Sequence, residues 1–371
     1  MSDEMLPSND WNDHQRPPST ISASPALIAH LSSLGLPPAT RSALTQSLIP
    51  SILQGISDIA KALRNSQQVS LAGTANSFGD DQLNVDVVAE DLVRIALARC
   101  PCVVTASSEE DPVERPVVAS PSSSSSSSST AQKEEEEEEE EAAAKEQYTI
   151  AFDPLDGSSI IAPNWTVGTI IGIWDGPSAL SQSPGAKQIA AVLGVYGPRT
   201  TAIVAVRVPG AAEPSACFEV GLGDGGVREC EIVRPRVRLA DVGGGVKTRY
   251  FAPANLRAAA EDPKYMALVA HYIQNKYTLR YSGGLVPDVV HALVKGHGIY
   301  LSPVTGASKA KLRRLYELCP LALVVECAGG RAVDPRDGSD VLERAVENCD
   351  ERGGLVCGTA EEVELVRKML L

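Results

Sequence analysis

No apolar stretch in the 371 residues approaches the ~20 needed to cross a bilayer, so no membrane span is expected. The N-terminus, MSDEMLPSNDWNDHQRPP, lacks the apolar core of a secretory leader. It also lacks the Arg-rich, acid-poor character of an organelle transit peptide, and these absences point to the cytoplasm. None of the eight cysteines falls in CxxC spacing, and the histidines are not grouped with them. That argues against a zinc site and for buried free thiols in a reducing compartment. A basic excess is missing too. The net charge is −14, and Glu134–Glu141 alone supplies eight of those negative charges. Without them 39 acids face 33 bases, which leaves −6 and argues against non-specific nucleic-acid binding.

What is present is a globular composition, 43% hydrophobic, on a chain long enough for one large or two coupled domains. Residues 1–25 read as a disordered tail. Residues 41–64 read as a helix, with Leu44, Leu48, Ile49, Ile52, Leu53, Ile56, Ile59 and Leu63 at helical spacing and Pro50 splitting or kinking it. A second helix is expected over 80–98. Residues 112–146 hold Ser122–Ser129 and the glutamate run and read as a disordered, solvated insertion. Strands follow from YTIAF to about residue 239, with a turn at Gly197-Pro198. Helices are expected near 263–276 and 308–328, and a last one from Thr359, with Glu362 completing a capping box. This order implies an α/β (α+β) layered architecture, with an N-terminal half over 26–210 and a C-terminal half over 211–371. Gly221-Leu-Gly223-Asp-Gly-Gly226 matches a dinucleotide-binding string. The segment after it reads as a strand, so it is expected to be a hairpin turn.

The most chemically loaded stretch is FDPLDGSS, residues 152–159. Asp153 and Asp156 flank a stiffening proline at the mouth of an apolar strand, with the Leu155 carbonyl between them. Hard divalent cations such as Mg²⁺ want that kind of oxygen cluster. Gly157, Ser158 and Ser159 add backbone N–H groups and hydroxyls suited to a phosphate. Taken alone, a structural turn competes with this reading. Three other segments also place acids beside apolar runs. Glu109 and Glu110 follow CVVTAS, Asp86 lies on the expected 80–98 helix, and Glu326 interrupts LVVECAGG. Acids there are costly unless paired or metal-bound, and together they favour a multi-metal hydrolase.

With these motifs in place, the chain resembles the class I fructose-1,6-bisphosphatases, among the magnesium-dependent sugar phosphatases. The carriers are FDPLDGSS, the upstream SEED and the downstream YELCP and VVECAGG, and the resemblance covers roughly residues 40–368. NSFGDDQLNVD, NWTVGTIIGIW, GVYGPRTT, FAPANLR and KYTLRYSGGLVPDV are similar to the sedoheptulose-1,7-bisphosphatase branch. Regulatory cysteines of the plastid enzymes are missing from SLAGTANSFGD.

The resemblance implies a layered sugar-phosphatase fold with alternating helix and sheet layers. It implies two or three Mg²⁺ ions, with Mn²⁺ as an alternative, and Glu109, Glu110, Asp153, Leu155, Asp156 and Glu326 as metal ligands. Asp86 and Glu110 would activate the attacking water, with Asp80 nearby. Gly157, Ser158 and Ser159 would cradle the cleaved phosphate. Asn255, Arg257, Arg280, Tyr281 and Lys311 would hold the sugar and the far phosphate, with Arg280 reaching across a dimer interface. The implied reaction is hydrolysis of the 1-phosphate of a ketose bisphosphate by a homodimer or homotetramer. Sedoheptulose 1,7-bisphosphate leads, and fructose 1,6-bisphosphate is the alternative. An inositol-phosphate-type enzyme and a non-catalytic sugar-phosphate-binding protein are more distant. A far-phosphate tyrosine of the fructose enzymes falls at Ser302, and two basic AMP-binding positions fall at Gln147 and Asp175.

Overall fold

The computed structural model describes residues 21–36, 41–75, 81–117, 146–208, 215–240, 248–306 and 309–371. The first helix, α1 (Pro25–Ser33), is capped by Ser24, whose Oγ accepts the Leu27 N–H and donates to the Cys230 carbonyl at 2.8 Å. Residues 21–25, expected as the end of a tail, therefore include an anchor. The periodic segment 41–64 forms a π-helical turn, Ala43–Leu48, running into α2 (Ile49–Asn65). Pro50 lies in the first turn of α2, where the π-helical turn passes into α-helix, so it marks a junction and does not split the segment. A small hairpin, β1 (Leu71–Ala75) and β2 (Asp81–Leu83), leads into α3 (Asn84–Leu97).

The central sheet has eight strands. They are β3 (Val103–Ser108), β4 (Arg115–Pro116), β5 (Tyr148–Asp156), β6 (Val167–Asp175), β7 (Gln188–Tyr196), β8 (Thr200–Val206), β9 (Ala216–Gly223) and β10 (Gly226–Arg234). Their order is β10-β9-β8-β7-β6-β5-β3-β4, antiparallel except where β3 meets β5. β9 and β10 extend this sheet through the β8–β9 ladder, so the sheet crosses the expected 210/211 boundary. The dinucleotide-like glycine string forms the β9–β10 turn, a hairpin as expected.

Both faces of the sheet are apolar. On β6, Ile171 and Ile173 enter the core shared with α1, α2 and α3, while Ile170 and Trp174 enter the core on the other side. Truncating such a side chain to alanine costs roughly 2–5 kcal/mol. The second core is built on α5 (Leu285–Lys295) and α6 (Cys319–Cys327). Beyond it lies a five-stranded sheet of order β12-β11-β13-β17-β15. Its strands are β11 (Tyr250–Pro253), β12 (Thr278–Leu279), β13 (Ile299–Ser302), β15 (Arg331–Val333) and β17 (Leu355–Gly358); β14 (Leu312–Arg313) and β16 (Arg352–Gly353) pair separately. A third core packs α4 (Pro263–Gln274) and α7 (Ala360–Leu370) on the outside. Five layers thus alternate helix, sheet, helix, sheet, helix. No helix among the described residues is long and apolar enough to cross a membrane.

Two local expectations are corrected, and one helix was not expected. The helix expected from 308 starts at Arg314, because Leu312 and Arg313 are held by β16; a π-helical turn, Arg314–Leu318, precedes α6. Helix α5 was not read from sequence; Pro287 looks like a breaker, but it sits in the first turn, where proline is tolerated. The capping box at Thr359 does not close. Thr359 Oγ1 accepts the Gly298 N–H, and Glu362 takes the Tyr277 hydroxyl at 2.6 Å.

Residues 118–145 of the expected insertion lie outside the described residues, and both flanks are anchored. The Val117 N–H reaches the Val104 carbonyl, Glu114 accepts from Ser178 and Ala179, and buried Glu146 accepts the Ala43 and Leu44 N–H groups. Replacing 118–145 by a short Gly/Ser linker is expected to leave the melting temperature and turnover unchanged. A loss of turnover in the deletion would assign that segment a role in the site.

Candidate active site

The parallel β3–β5 pair sets the site. Ser108 lies opposite Phe152 in this ladder, and the Glu109 N–H donates to the Phe152 carbonyl at 3.0 Å. The acids after both strands therefore emerge at one edge, the carboxyl ends of parallel strands, where α/β sheets place ligands. The start of α3 brings in Asp86, and the π-helical turn before α6 brings in Glu317.

Carboxylate oxygens of Glu109, Asp153 and Glu317 lie within 4.8 Å of one another. Asp153 and Glu317 are buried, and both titrate well above the usual carboxylate range. Burial is the largest cause, and the repulsion of Glu109 is next. Asp156 is pushed up to about 7 by burial, against the Val286 and Leu285 N–H groups, which donate to its two oxygens at 2.6 and 3.0 Å. Arg313 pairs with Glu109, and its backbone N–H donates to Glu317. Clustered buried carboxylates repel one another unless a cation joins them. An all-oxygen donor set suits a hard divalent ion. The cluster fits a divalent metal on these grounds.

Asp86 and Glu110 flank this group. Asp86 Oδ2 accepts the Leu83 N–H at 2.9 Å, whereas its buried Oδ1 has no hydrogen-bond partner among the described residues. Burial, then the charges of Glu110 and Glu109, pushes Asp86 up to about 6. Gln82 donates to Glu110. Asp80 lies outside the described residues.

Leu155 is buried between the two aspartates, and its N–H is held by Asp153 at 3.0 Å. Gly157 takes φ = 97°, a left-handed conformation in which a side chain is strained, and so turns the chain into exposed Ser158 and Ser159. A glycine also brings α5 close: a Cβ at Gly168 on β6 would lie 2.5 Å from Val286. That contact presses the first turn of α5 against β6, where its N–H groups reach Asp156.

The sugar-side residues gather partly. Tyr281, 44% exposed, lies near Arg257 and the Asn255 backbone. Asn255 has φ = 52° and donates to the Pro303 carbonyl at 3.3 Å. Arg280 turns the other way, with its guanidinium 5.6 Å from the centre of the Tyr250 ring. Lys311 is exposed, two residues before Arg313.

Glu326 is the correction. It pairs with Arg207 at 2.7 Å, nine residues after Glu317 and on the order of 13 Å further along the helical segment. Glu317 occupies the place expected for it. Glu317 stands in the YELCP stretch, an acid inside an apolar run just as Glu326 is, so sequence spacing did not separate the two. Arg313, also not singled out, is buried beside the acids.

This layering around a carboxylate cradle is that of the sugar phosphatases. Residues 114–213 match the fructose-1-6-bisphosphatase N-terminal domain, and residues 246–371 match the C-terminal domain. The class 1 fructose-1,6-bisphosphatase of Syntrophotalea carbinolica is 32% identical over 324 residues, 87% of this chain and 88% of that protein. The chain belongs to the fructose-1,6-bisphosphatase family. The chloroplastic sedoheptulose-1,7-bisphosphatase of Triticum aestivum is 38% identical over 297 residues. That match spans 79% of this chain and 65% of the wheat protein, somewhat less than two thirds of its length. A crystal structure described as a sedoheptulose-1,7 bisphosphatase candidate from Toxoplasma gondii superposes with TM-score 0.76 at 32% identity, covering 93% of this chain and 98% of that one. The Leishmania major fructose-1,6-bisphosphatase in holo form shares the fold, with TM-score 0.71 at 24% identity over 89% and 94% of the two chains.

Proposed function

We propose that the chain hydrolyses the 1-phosphate of a ketose bisphosphate, converting sedoheptulose 1,7-bisphosphate to sedoheptulose 7-phosphate with Mg²⁺. The observation that carries this is the Glu109–Asp153–Glu317 group, with Asp153 and Glu317 buried, beside Asp86, whose buried Oδ1 has no hydrogen-bond partner among the described residues. Glu109, Asp153, Glu317 and Asp156, with Glu110 and the Leu155 carbonyl, would hold two or three Mg²⁺ ions, or Mn²⁺. Bound there, the metal supplies charge neutralisation and a more acidic water. Asp86 takes the proton of the attacking water through Oδ1, while the Leu83 N–H fixes its other oxygen. The turn at Gly157 presents Ser158 and Ser159 to the phosphate, and Arg313 sits at hand for its negative charge. Asn255, Arg257, Tyr281 and Lys311 bind the far end, so that remote binding energy orients the reacting end.

The similarity to a class 1 fructose-1,6-bisphosphatase supports fructose 1,6-bisphosphate as the second reading. The working form is read as a cytoplasmic homodimer or homotetramer, in which exposed Arg280 reaches a second copy. The test is phosphate release from either bisphosphate by the purified chain with Mg²⁺ and with EDTA. Release that EDTA abolishes is expected; release that EDTA leaves intact would refute the metal role.

Asp175 is held by Arg41 through two contacts of 2.8 and 3.1 Å, chiefly because of which it titrates below the usual range. A carboxylate ionised in this way repels a phosphate, so AMP is expected to leave the rate unchanged. Inhibition at micromolar AMP would contradict this.

A further inference from the structure

Five successive amides between Tyr281 and the first turn of α5 are each held by a side-chain oxygen. The Ser282 N–H donates to Asp288 Oδ1 at 2.7 Å, and the Gly283 N–H donates to Asp288 Oδ2 at 3.2 Å. Gly284 N–H donates to Ser282 Oγ at 3.3 Å, and that hydroxyl itself donates to Asp288 at 2.8 Å. The Leu285 and Val286 N–H groups then go to Asp156. One helix start thus carries two buried carboxylates that repel each other, where one cap would satisfy it. Gly283, with φ = 104°, makes the turn, and the turn packs on Ile160 beside the Gly157 phosphate turn.

We propose that Asp288 is a positioning residue that fixes the spacing between the two ends of the site. It holds the Ser282–Gly284 turn, so that Tyr281 on the sugar side and the amides that orient Asp156 on the metal side keep one geometry. Asp288 itself touches neither end's ligand. Its substrate readout rests on the bisphosphatase reading above; its metal readout does not.

The experiment compares the full chain with Asp288→Asn and Asp288→Ala. Mn²⁺ alone is titrated by calorimetry, and KM and kcat for the sugar bisphosphate are measured at saturating metal. Asp288→Ala is expected to weaken Mn²⁺ binding about tenfold and raise KM about tenfold with a much smaller change in kcat. Asp288→Asn keeps one acceptor and should lie between the alanine variant and the parent. A variant with a lower melting temperature but parental Mn²⁺ affinity and KM would overturn the proposal, leaving Asp288 a structural cap. If the alanine variant does not fold, the asparagine variant decides by the same two readouts. If the parent chain releases no phosphate, the bisphosphatase reading fails, and the Mn²⁺ titration alone still decides this one.

Discussion

Asp86→Asn is expected to lower kcat on the order of 10³-fold while leaving the fold intact. The asparagine carbonyl can still accept the Leu83 N–H, so the start of α3 stays capped. What disappears is the basic Oδ1, which is buried and has no hydrogen-bond partner among the described residues. Asp86 works deprotonated. Because its pKa is raised to about 6, the rate is expected to be full well above that pH and to fall as pH drops through it. Glu110 raises this pKa by its negative charge. In Glu110→Gln the residual rate should therefore keep its acid limb at a lower pH than in the parent. A pH–rate profile of both variants checks this, and near-parental kcat in Asp86→Asn would remove Asp86 from the chemistry.

The second large effect separates two glutamates that look alike in the sequence. Glu317→Gln is expected to cut kcat/KM by on the order of 10² or more, since it removes an oxygen donor from the proposed metal set. The same change should raise the metal-free melting temperature. Glu317 is buried and repelled by Glu109, so a neutral side chain relieves a cost the metal-free protein bears. Glu326→Gln is expected to do the reverse. Its pair with Arg207 is about a quarter exposed on each side, so breaking it should cost about 1–2 kcal/mol, with kcat/KM within about threefold of the parent. Thermal melts without metal and initial rates with it measure both. Loss of activity in Glu326→Gln with full activity in Glu317→Gln would reverse the assignment.

The contrast shows what a sequence can carry. FDPLDGSS was legible because its donors are local: Asp153, Asp156 and Gly157 sit on one strand end, and their spacing is their geometry. The pairing of that strand end with Glu109 was inferable, since both follow apolar strand-like runs. The last carboxylate was not, because it arrives from a distant helical segment. Glu317 and Glu326 both interrupt apolar runs, and only the path of the π-helical turn before α6 decides which one faces the strand ends. The layer order could be read from periodicity. Helix α5 was not expected, and Pro287 stands in its first turn; the box at Thr359 failed because Gly298 and Tyr277 outcompeted it for the two side chains. At Thr359 a tertiary partner overrode a sound local rule, whereas at Pro287 the local rule itself allows a helix to start. The two-carboxylate start of α5 is the sharpest case, since Asp156 and Asp288 are 132 positions apart in the chain and share one helix end.

The most direct test of the account is the ratio of kcat/KM for sedoheptulose 1,7-bisphosphate to that for fructose 1,6-bisphosphate, measured on the purified chain with Mg²⁺. A preference of about tenfold or more for the seven-carbon sugar is predicted, which is about 1.4 kcal/mol of differential transition-state binding. Equal values, or a preference for fructose, would contradict the proposed substrate.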